Sequence, residues 1–321
     1  MYSSDSIAFY IMKKVIFLTH TTHDQATHDM SSALVYWYGV LENMGYEVVY
    51  SDYREYDIES FYLSAKEYKP DFIIAINYFD SQHEEFNRLR EFTKIYLLTS
   101  DIYRFYDSHV QHQINNVDGV IHFEEEQKPN EKLLKMRWAF NPNTMTSDYI
   151  PSSKSNILHY GGLHGGRVQS INNLLSKNLN VRVLQSNLTY EQVKKEQLNS
   201  KYSLCFTHNA IMSRQEVKGR IVEIPNYTVL LTEPAPCLDL YFDESEIIIF
   251  NSAEEAKEKI DYYNLNKKEY NNLLHRGKRA LWNRNTCYHE WDKILPIIDS
   301  DYKPKDITKL LKTQHGKYYY E

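Results

Sequence analysis

Cysteine is scarce in this chain of 321 residues, and the three that occur, Cys205, Cys237 and Cys287, form no C-x-x-C pair and no metal-binding spacing. Their pattern indicates reduced thiols rather than a disulfide framework. No uninterrupted apolar run approaches the roughly 18 residues of a membrane-spanning helix. The apolar stretch Ser6 to Met12 is too short for the core of a signal peptide. We therefore expect a cytoplasmic protein without a membrane span.

Excess positive charge is also missing, because the formal net charge is -6. Nucleic-acid-binding proteins usually present a basic face, so this balance predicts no nucleic-acid partner. Any anionic ligand must then be held by a local site. Apolar residues make up 42% of the chain and charged residues 25%, which is typical of globular proteins. The length predicts two domains of roughly 150 residues each.

Compact apolar runs alternate with segments of helical period along most of the chain. The runs are Val15–Thr19, Glu47–Tyr50, Phe72–Ile76, Ile95–Thr99 and Gly119–Phe123, and then Ile157–Tyr160, Val181–Leu184, Ser203–Phe206, Val229–Thr232 and Ile247–Phe250. A segment rich in Pro, Ser and Asn at 141–155 separates the two sets and is typical of a linker. Continuous apolar strands joined by helices predict parallel sheets covered on both faces. The sequence thus predicts two tandem doubly wound α/β halves.

The end of the chain has a different pattern, with helical segments in succession and no further strand. The segments are Ala253–Tyr263, Lys267–Asn283, Tyr288–Ile298 and Lys305–Lys312. With no further strand to cover, these helices either pack along the second half or cross back to the first.

The stretch Lys218 to Glu233 places an arginine and a glutamate before a strand and a Pro-rich loop. Arg220 is suited to a two-pronged hydrogen bond with a phosphate. The carboxylate of Glu223 is suited to accept from two ribose hydroxyls. A basic group beside an acidic group at the carboxyl edge of a sheet is suited to bind a sugar nucleotide.

A glycine-rich loop, Tyr160-Gly-Gly-Leu-His-Gly-Gly-Arg167, follows one predicted strand and precedes a helix. Glycines allow close approach of the backbone to a phosphate, and a helix N-terminus favours an anion. The spacing fits neither the dinucleotide fingerprint nor the P-loop. A tight turn that requires positive φ is the structural alternative, and Arg167 favours the anion site.

Polar loops follow two strands of the first half. His20, His23 and Asp24 come after the first strand, and Asp101 and Arg104 come after the fourth. The histidines are on a predicted loop rather than on one helical face, so no metal geometry is indicated. Each acid or imidazole is a candidate general base for an acceptor hydroxyl. A helix N-cap with a surface ion pair is the alternative for Asp101 and Arg104.

The segment Arg220-Ile-Val-Glu-Ile-Pro-Asn-Tyr-Thr-Val-Leu-Leu-Thr232 resembles the R-x-F-E-(I/A)-x-x-x-G-x-x-(L/V)-(L/T) signature of the CgeB/YkvP-like group of glycosyltransferases. Val222 replaces the Phe of that signature, and Tyr227-Thr228 replaces its glycine-containing turn. Trp138-Ala-Phe-Asn-Pro-Asn143 is similar to the domain-junction segment of the group. The resemblance is clearest from about residue 118 to residue 295.

This resemblance implies a GT-B fold: two tandem Rossmann-like domains, with C-terminal helices packing back across them. The implied divisions are an acceptor domain at 1–150, a donor domain at 151–290 and a helical segment and tail at 291–321. The activity implied is hexosyltransferase-type transfer, in the interdomain cleft, from a nucleotide diphosphate-sugar to a glycan or other hydroxyl acceptor. Arg167 and Arg220 would neutralise the diphosphate without a metal or cofactor.

The resemblance and the strand-end pattern together give a set of candidate residues. Predicted donor-binding residues are Gly161, Gly162, Arg167, Arg220, Glu223, Asn187 and His208; acceptor-binding residues are Arg104 and Trp138; catalytic candidates are His20, His23, Asp24 and Asp101. A ligand-binding scaffold without activity and a sugar-nucleotide epimerase are the alternative functions. The base, the sugar, the acceptor, the stereochemistry and the oligomeric state are left open.

Overall fold

The computed structural model describes residues 12–19, 37, 39–52, 57–76, 87–99, 114–123, 131–144, 156–163, 166–184, 188–209 and 214–316. Its first half is a parallel sheet in the order β2-β1-β3-β4-β5-β6. The elements are β1 (Lys14–Thr19), α1 (Val40–Asn43), β2 (Glu47–Asp52), α2 (Ile58–Tyr68), β3 (Phe72–Ile76), β4 (Lys94–Thr99), β5 (Gly119–His122) and β6 (Leu133–Lys135). Five of the six strands were predicted; β6 was not.

Both faces of this sheet are buried, which explains the continuous apolar runs. Along β1, Val15 and Phe17 contribute to one apolar cluster, and Ile16 and Leu18 contribute to another on the opposite face. Successive side chains of a strand point to opposite faces, so a sheet covered on both sides needs apolar residues at every position. The predicted doubly wound architecture is confirmed for this half.

The second half is a five-stranded parallel sheet in the order β13-β12-β9-β7-β8, with a separate antiparallel pair β10-β11. Its strands are β7 (Ile157–Tyr160), β8 (Val181–Leu184), β9 (Tyr202–Cys205), β10 (His208–Asn209), β11 (Arg214–Gln215), β12 (Val229–Thr232) and β13 (Ile248–Ile249). Its helices are α3 (Arg167–Ser176), α4 (Tyr190–Leu198), α5 (Ala253–Leu265) and α6 (Lys267–Arg284). The second predicted α/β half is therefore confirmed.

The last helices, α7 (Cys287–Ile298) and α8 (Ile307–His315), return to the first half. The Tyr46 hydroxyl donates to Asp299 Oδ2 over 2.7 Å, and Lys13 forms an ion pair with the same carboxylate. The ring of Trp291 packs edge-on against Phe17 of β1, with centroids 6.2 Å apart. The expectation that the C-terminal helices pack back across the domains is confirmed.

The chain crosses between the halves along two paired segments. The Phe140 amide donates to Asn285 O over 2.8 Å, and the Cys287 amide donates to Phe140 O over 2.8 Å. Beside this bridge, Arg137 forms an ion pair with the buried carboxylate of Glu290, with Nη2 2.9 Å from Oε1. The junction is thus held by backbone hydrogen bonds and by a charged pair.

No helix in the described part of the chain combines the length and the apolar character needed to cross a bilayer.

Candidate active site

The order of the second sheet reverses at β7, which makes its carboxyl end a topological switch point. From β7 the chain passes outward to β8 on one side, and then continues through β9, β12 and β13 on the other. In open α/β sheets, ligands bind in the crevice outside the carboxyl ends of the strands at such a point. The predicted glycine loop begins there, directly after Tyr160.

Arg167 spans this crevice from the first position of α3. Its Nη1 donates to Gly162 O over 2.8 Å, and its Nη2 donates to His208 O over 3.2 Å. Gly162 follows β7 and His208 follows β9, so one guanidinium group joins the two strand ends that flank the switch point. Helix α3 begins at Arg167, and its N-cap residue Gly166 has no side chain to cap the first amides, which are therefore suited to bind an anion.

Arg220 reaches the same loop from a 3-10 helix, Gly219–Val222, that precedes β12. Its Nη1 donates to Tyr160 O over 2.7 Å, and its guanidinium carbon lies 5.1 Å from the centroid of the Tyr160 ring. Among the described residues, its Nη2 and Nε atoms have no hydrogen-bond acceptor. A pair of adjacent N–H donors is the arrangement that binds a phosphate in a bidentate manner.

Gly161 makes room for Arg220. Its φ is +115°, a conformation that L residues rarely adopt, and a Cβ added there would lie 2.5 Å from Arg220 Cζ. The positive φ agrees with the tight-turn interpretation of this loop. The missing side chain also allows the guanidinium group to lie against the backbone, a role that the sequence did not suggest.

Glu223 lies one residue beyond the 3-10 helix that carries Arg220, and it is only 8% exposed. The Tyr160 hydroxyl donates to its Oε2 atom over 3.1 Å. The structure therefore brings Gly161, Gly162, Arg167, Arg220, Glu223 and His208 together at one sheet edge. The contribution of His208 is its backbone carbonyl group, which accepts from Arg167.

The electrostatics of this edge favour an anion. Among the described residues, neither Arg167 nor Arg220 forms an ion pair with a carboxylate. Burial lowers the pKa of Arg167, and the nearby charge of Arg220 lowers it further. An arginine nevertheless keeps its proton in proteins. Two positive groups held close together without a neutralising partner attract a multiply charged anion.

Glu233, directly after β12, lies near the same edge. Its Oε2 atom is buried and has no hydrogen-bond partner in the described part of the chain, and its charge acts to raise the pKa of Arg167. This carboxylate therefore balances part of the positive charge without pairing with either arginine.

Two fully buried histidines, His122 of β5 and His159 of β7, are each 0% exposed. Burial lowers the pKa of each to about 4. The unfolded chain binds protons at these residues near pH 6.5, whereas the folded chain does not until about pH 4. Acidification therefore favours the unfolded state within this window.

We expect the free energy of unfolding to fall from about pH 6.5 toward pH 5, by up to ~1.4 kcal/mol per pH unit for each buried histidine. Urea unfolding at several pH values measures this slope. The variants His122→Leu and His159→Leu should each show a shallower decline than the unmodified chain. A stability that does not change across this window contradicts the assignment of neutral, buried histidines.

Five predicted residues lie outside the described residues: His20, His23, Asp24, Asp101 and Arg104. Asn187 lies outside them as well. Their assignment to catalysis, acceptor binding and donor binding stays a prediction. No group of three or more metal-ligating side chains occurs within the described ranges.

Trp138, predicted to bind the acceptor, is partly buried at the junction. Its ring stacks on Phe123 with centroids 4.5 Å apart, and Phe123 stacks on Trp37 at 5.4 Å. Packing in this three-ring stack accounts for the position of Trp138, and its role toward an acceptor stays a prediction.

Tyr160 is a residue that sequence reasoning placed in the loop but gave no role. Its carbonyl group and ring contact Arg220, and its hydroxyl contacts Glu223. The available signal was its position as the last residue of a strand before a glycine loop.

Two parallel α/β domains with C-terminal helices across them constitute the GT-B architecture, and solved structures of glycosyltransferases share it. One is an alpha-glucosyltransferase in complex with UDP, with a TM-score of 0.61, 11% identity, and coverage of 89% of this chain and 99% of that chain. A glycosyltransferase from Rickettsia africae ESF-5 has a TM-score of 0.56 and 12% identity, with coverage of 91% and 99%. Anabaena HepE in complex with UDP has a TM-score of 0.54 and 11% identity, with coverage of 90% and 100%.

Residues 164–296 match the family model described as "Glycosyl transferase-like". The match includes Arg167, Arg220 and Glu223. No curated protein matches the chain. The predicted GT-B fold is confirmed by the solved structures, and the prediction of a glycosyltransferase is confirmed at the level of this family description.

Proposed function

We propose that the chain transfers a sugar from a nucleoside diphosphate sugar to an acceptor hydroxyl in the cleft between its domains. The observation that carries this proposal is the pair Arg167 and Arg220. Both are anchored on carbonyl groups of one loop at a topological switch point, and among the described residues neither forms an ion pair with a carboxylate. A nucleoside diphosphate supplies the multiple negative charge that such a pair binds.

The diphosphate is the leaving group of the reaction. As the bond from the sugar to the diphosphate breaks, negative charge develops on the departing oxygen. Preorganised donors aimed at that charge stabilise the transition state more than the ground state. Arg220, whose Nη2 and Nε atoms have no acceptor among the described residues, and the first amides of α3 are suited to this task. We propose that these groups stabilise the departing diphosphate without a metal ion or a cofactor.

The ribose is assigned to Glu223. A carboxylate accepts several hydrogen bonds and so matches a pair of neighbouring hydroxyls. Glu223 lies three residues after Arg220, and both contact Tyr160. This proximity supports an assignment of Glu223 to the ribose hydroxyls and of Arg220 to the phosphates.

UDP is proposed as the nucleotide because the alpha-glucosyltransferase and HepE were solved with UDP. An alpha-glucosyltransferase was also solved with UDP-glucose and DNA. A nucleic-acid acceptor is not part of this proposal, since the net charge of -6 does not favour a phosphate backbone. We propose a glycan or another hydroxyl compound as acceptor, held by the first domain.

The finer assignment to the CgeB/YkvP-like group is also proposed. It is supported by the sequence from Arg220 to Thr232, which resembles the signature of that group. The arginine and the glutamate of the resemblance both lie at the carboxyl edge of the second sheet.

Calorimetric titration with UDP, GDP and ADP, followed by assays with the matching sugar nucleotides, tests the proposed function. We expect one nucleoside diphosphate to bind, and its sugar nucleotide to be hydrolysed slowly or to donate its sugar. Arg276, which is half-buried on α6 and donates to Ser245 O, offers a control variant, Arg276→Ala, that should bind normally. Absence of binding favours a scaffold, and isomerisation of the sugar without an acceptor favours an epimerase; either result contradicts the proposal.

A further inference from the structure

Tyr160 contacts both residues that the proposed function assigns to the nucleotide. Its carbonyl oxygen accepts from Arg220 Nη1 over 2.7 Å, and its ring faces the same guanidinium group at 5.1 Å. Its hydroxyl donates to Glu223 Oε2 over 3.1 Å. Three separate parts of one residue therefore hold the groups proposed to bind the diphosphate and the ribose.

We propose that Tyr160 is a positioning residue for the donor: its hydroxyl orients the Glu223 carboxylate toward the ribose, and its carbonyl group and ring orient Arg220 toward the diphosphate. This inference rests on the proposed function and deepens it. Tyr160 acts through Arg220 and Glu223, and it does not itself contact the reacting atoms.

The hydroxyl has a specific effect on Glu223. A carboxylate has about four lone-pair sites, and a donor fixed on one oxygen restricts rotation of the group. Hydrogen bonds to an ionised carboxylate are stronger than those between neutral groups. At 8% exposure, Glu223 has little water to replace a lost donor. The Tyr160 hydroxyl therefore keeps the remaining lone pairs of Glu223 in one orientation.

The two functions of Tyr160 are separable by mutation. Tyr160→Phe retains the carbonyl group and the aromatic ring, so the contacts to Arg220 persist. It removes the hydroxyl group that donates to Glu223 Oε2. Its effect should therefore depend on whether the ligand has ribose hydroxyls.

We expect Tyr160→Phe to weaken binding of UDP on the order of 10-fold, because the Glu223 carboxylate must then be oriented toward the ribose at the expense of binding free energy. Binding of 2′,3′-dideoxy-UDP, which lacks the ribose hydroxyls, should be equal in Tyr160→Phe and in the unmodified chain. Calorimetric titration of both proteins with both ligands measures, for each ligand, the ratio of its dissociation constants in the variant and in the unmodified chain. If GDP or ADP binds more tightly than UDP, that nucleotide and its dideoxy analogue are used.

Two further variants complete the test. In a Glu223→Gln background, Tyr160→Phe should add little to the loss of affinity, since the two residues act through one hydrogen bond. Tyr270→Phe is the matched control, because the Tyr270 hydroxyl also donates one hydrogen bond, to Lys201 O over 2.8 Å. This control should leave the affinity for both ligands unchanged.

If Tyr160→Phe weakens the binding of UDP and of its dideoxy analogue equally, its effect is purely structural and the inference is overturned. Unchanged affinity for UDP overturns it as well. In both cases the unmodified chain still binds the nucleotide, and the proposed function stands. If the unmodified chain binds no nucleoside diphosphate, the proposed function fails, and the role of Tyr160 fails with it.

Discussion

Replacing Arg220 by alanine is expected to lower the rate of sugar transfer about 100- to 1000-fold, the usual effect of removing one preorganised donor from a developing negative charge. The guanidinium group is held by Tyr160 O and by the Tyr160 ring, so its position is fixed before the donor binds. Its Nη2 and Nε atoms have no acceptor among the described residues. Initial rates with saturating sugar nucleotide measure the loss.

The fold should survive this change. Arg220 makes one described hydrogen bond, to a backbone carbonyl group at a partly exposed edge, so we expect the free energy of unfolding to change by about 1 kcal/mol or less. Arg220→Lys keeps the charge but loses the planar pair of donors, and an intermediate rate is expected. Near-normal transfer by a folded Arg220→Ala variant contradicts the assignment of Arg220 to the diphosphate.

Gly161→Ala is expected to reduce transfer on the order of 100-fold, because it displaces the guanidinium group of Arg220. The added methyl group would lie 2.5 Å from Arg220 Cζ, and the residue has a φ of +115°. Strain at this φ should also lower the free energy of unfolding by about 1–3 kcal/mol. Transfer rates and urea unfolding of the same preparation separate the two effects.

A double-mutant cycle identifies the cause of the Gly161→Ala loss. In an Arg220→Ala background the obstructing guanidinium group is absent, and Gly161→Ala should reduce the rate little further. Additive losses instead indicate that the loop itself, and not Arg220, is disturbed. Gly166→Ala is the control for stability, since a Cβ at Gly166 meets no atom within 4 Å and the φ there is -69°.

The strands were predictable because their apolar runs are local. Phe72–Ile76 is a run of apolar residues, and its side chains are buried from Phe72 through Ala75 on the two faces of the first sheet. The strand β6 was missed because Leu133–Lys135 is short and ends in a lysine. The 3-10 helix that carries Arg220 has no apolar period that distinguishes it from a loop.

The sequence predicted the location of the site, at one edge of the second sheet, but not the contacts between its side chains. Carboxyl ends of parallel strands lie at one edge, so the glycine loop after Tyr160 was expected at the ligand-binding edge of the second sheet. The contact between Tyr160 and Glu223 joins residues 63 positions apart and depends on side-chain direction. The space that Gly161 leaves for Arg220 likewise depends on a backbone angle, which the composition of the loop does not specify.

The packing of Trp291 against Phe17 has a consequence for the order of folding during synthesis. Trp291 follows Phe17 by 274 positions in the chain, so Phe17 is synthesised long before its partner on α7. The apolar surface around Phe17 therefore lacks this part of its native cover until α7 has been made. Complete packing of this face of the first sheet then depends on the arrival of α7.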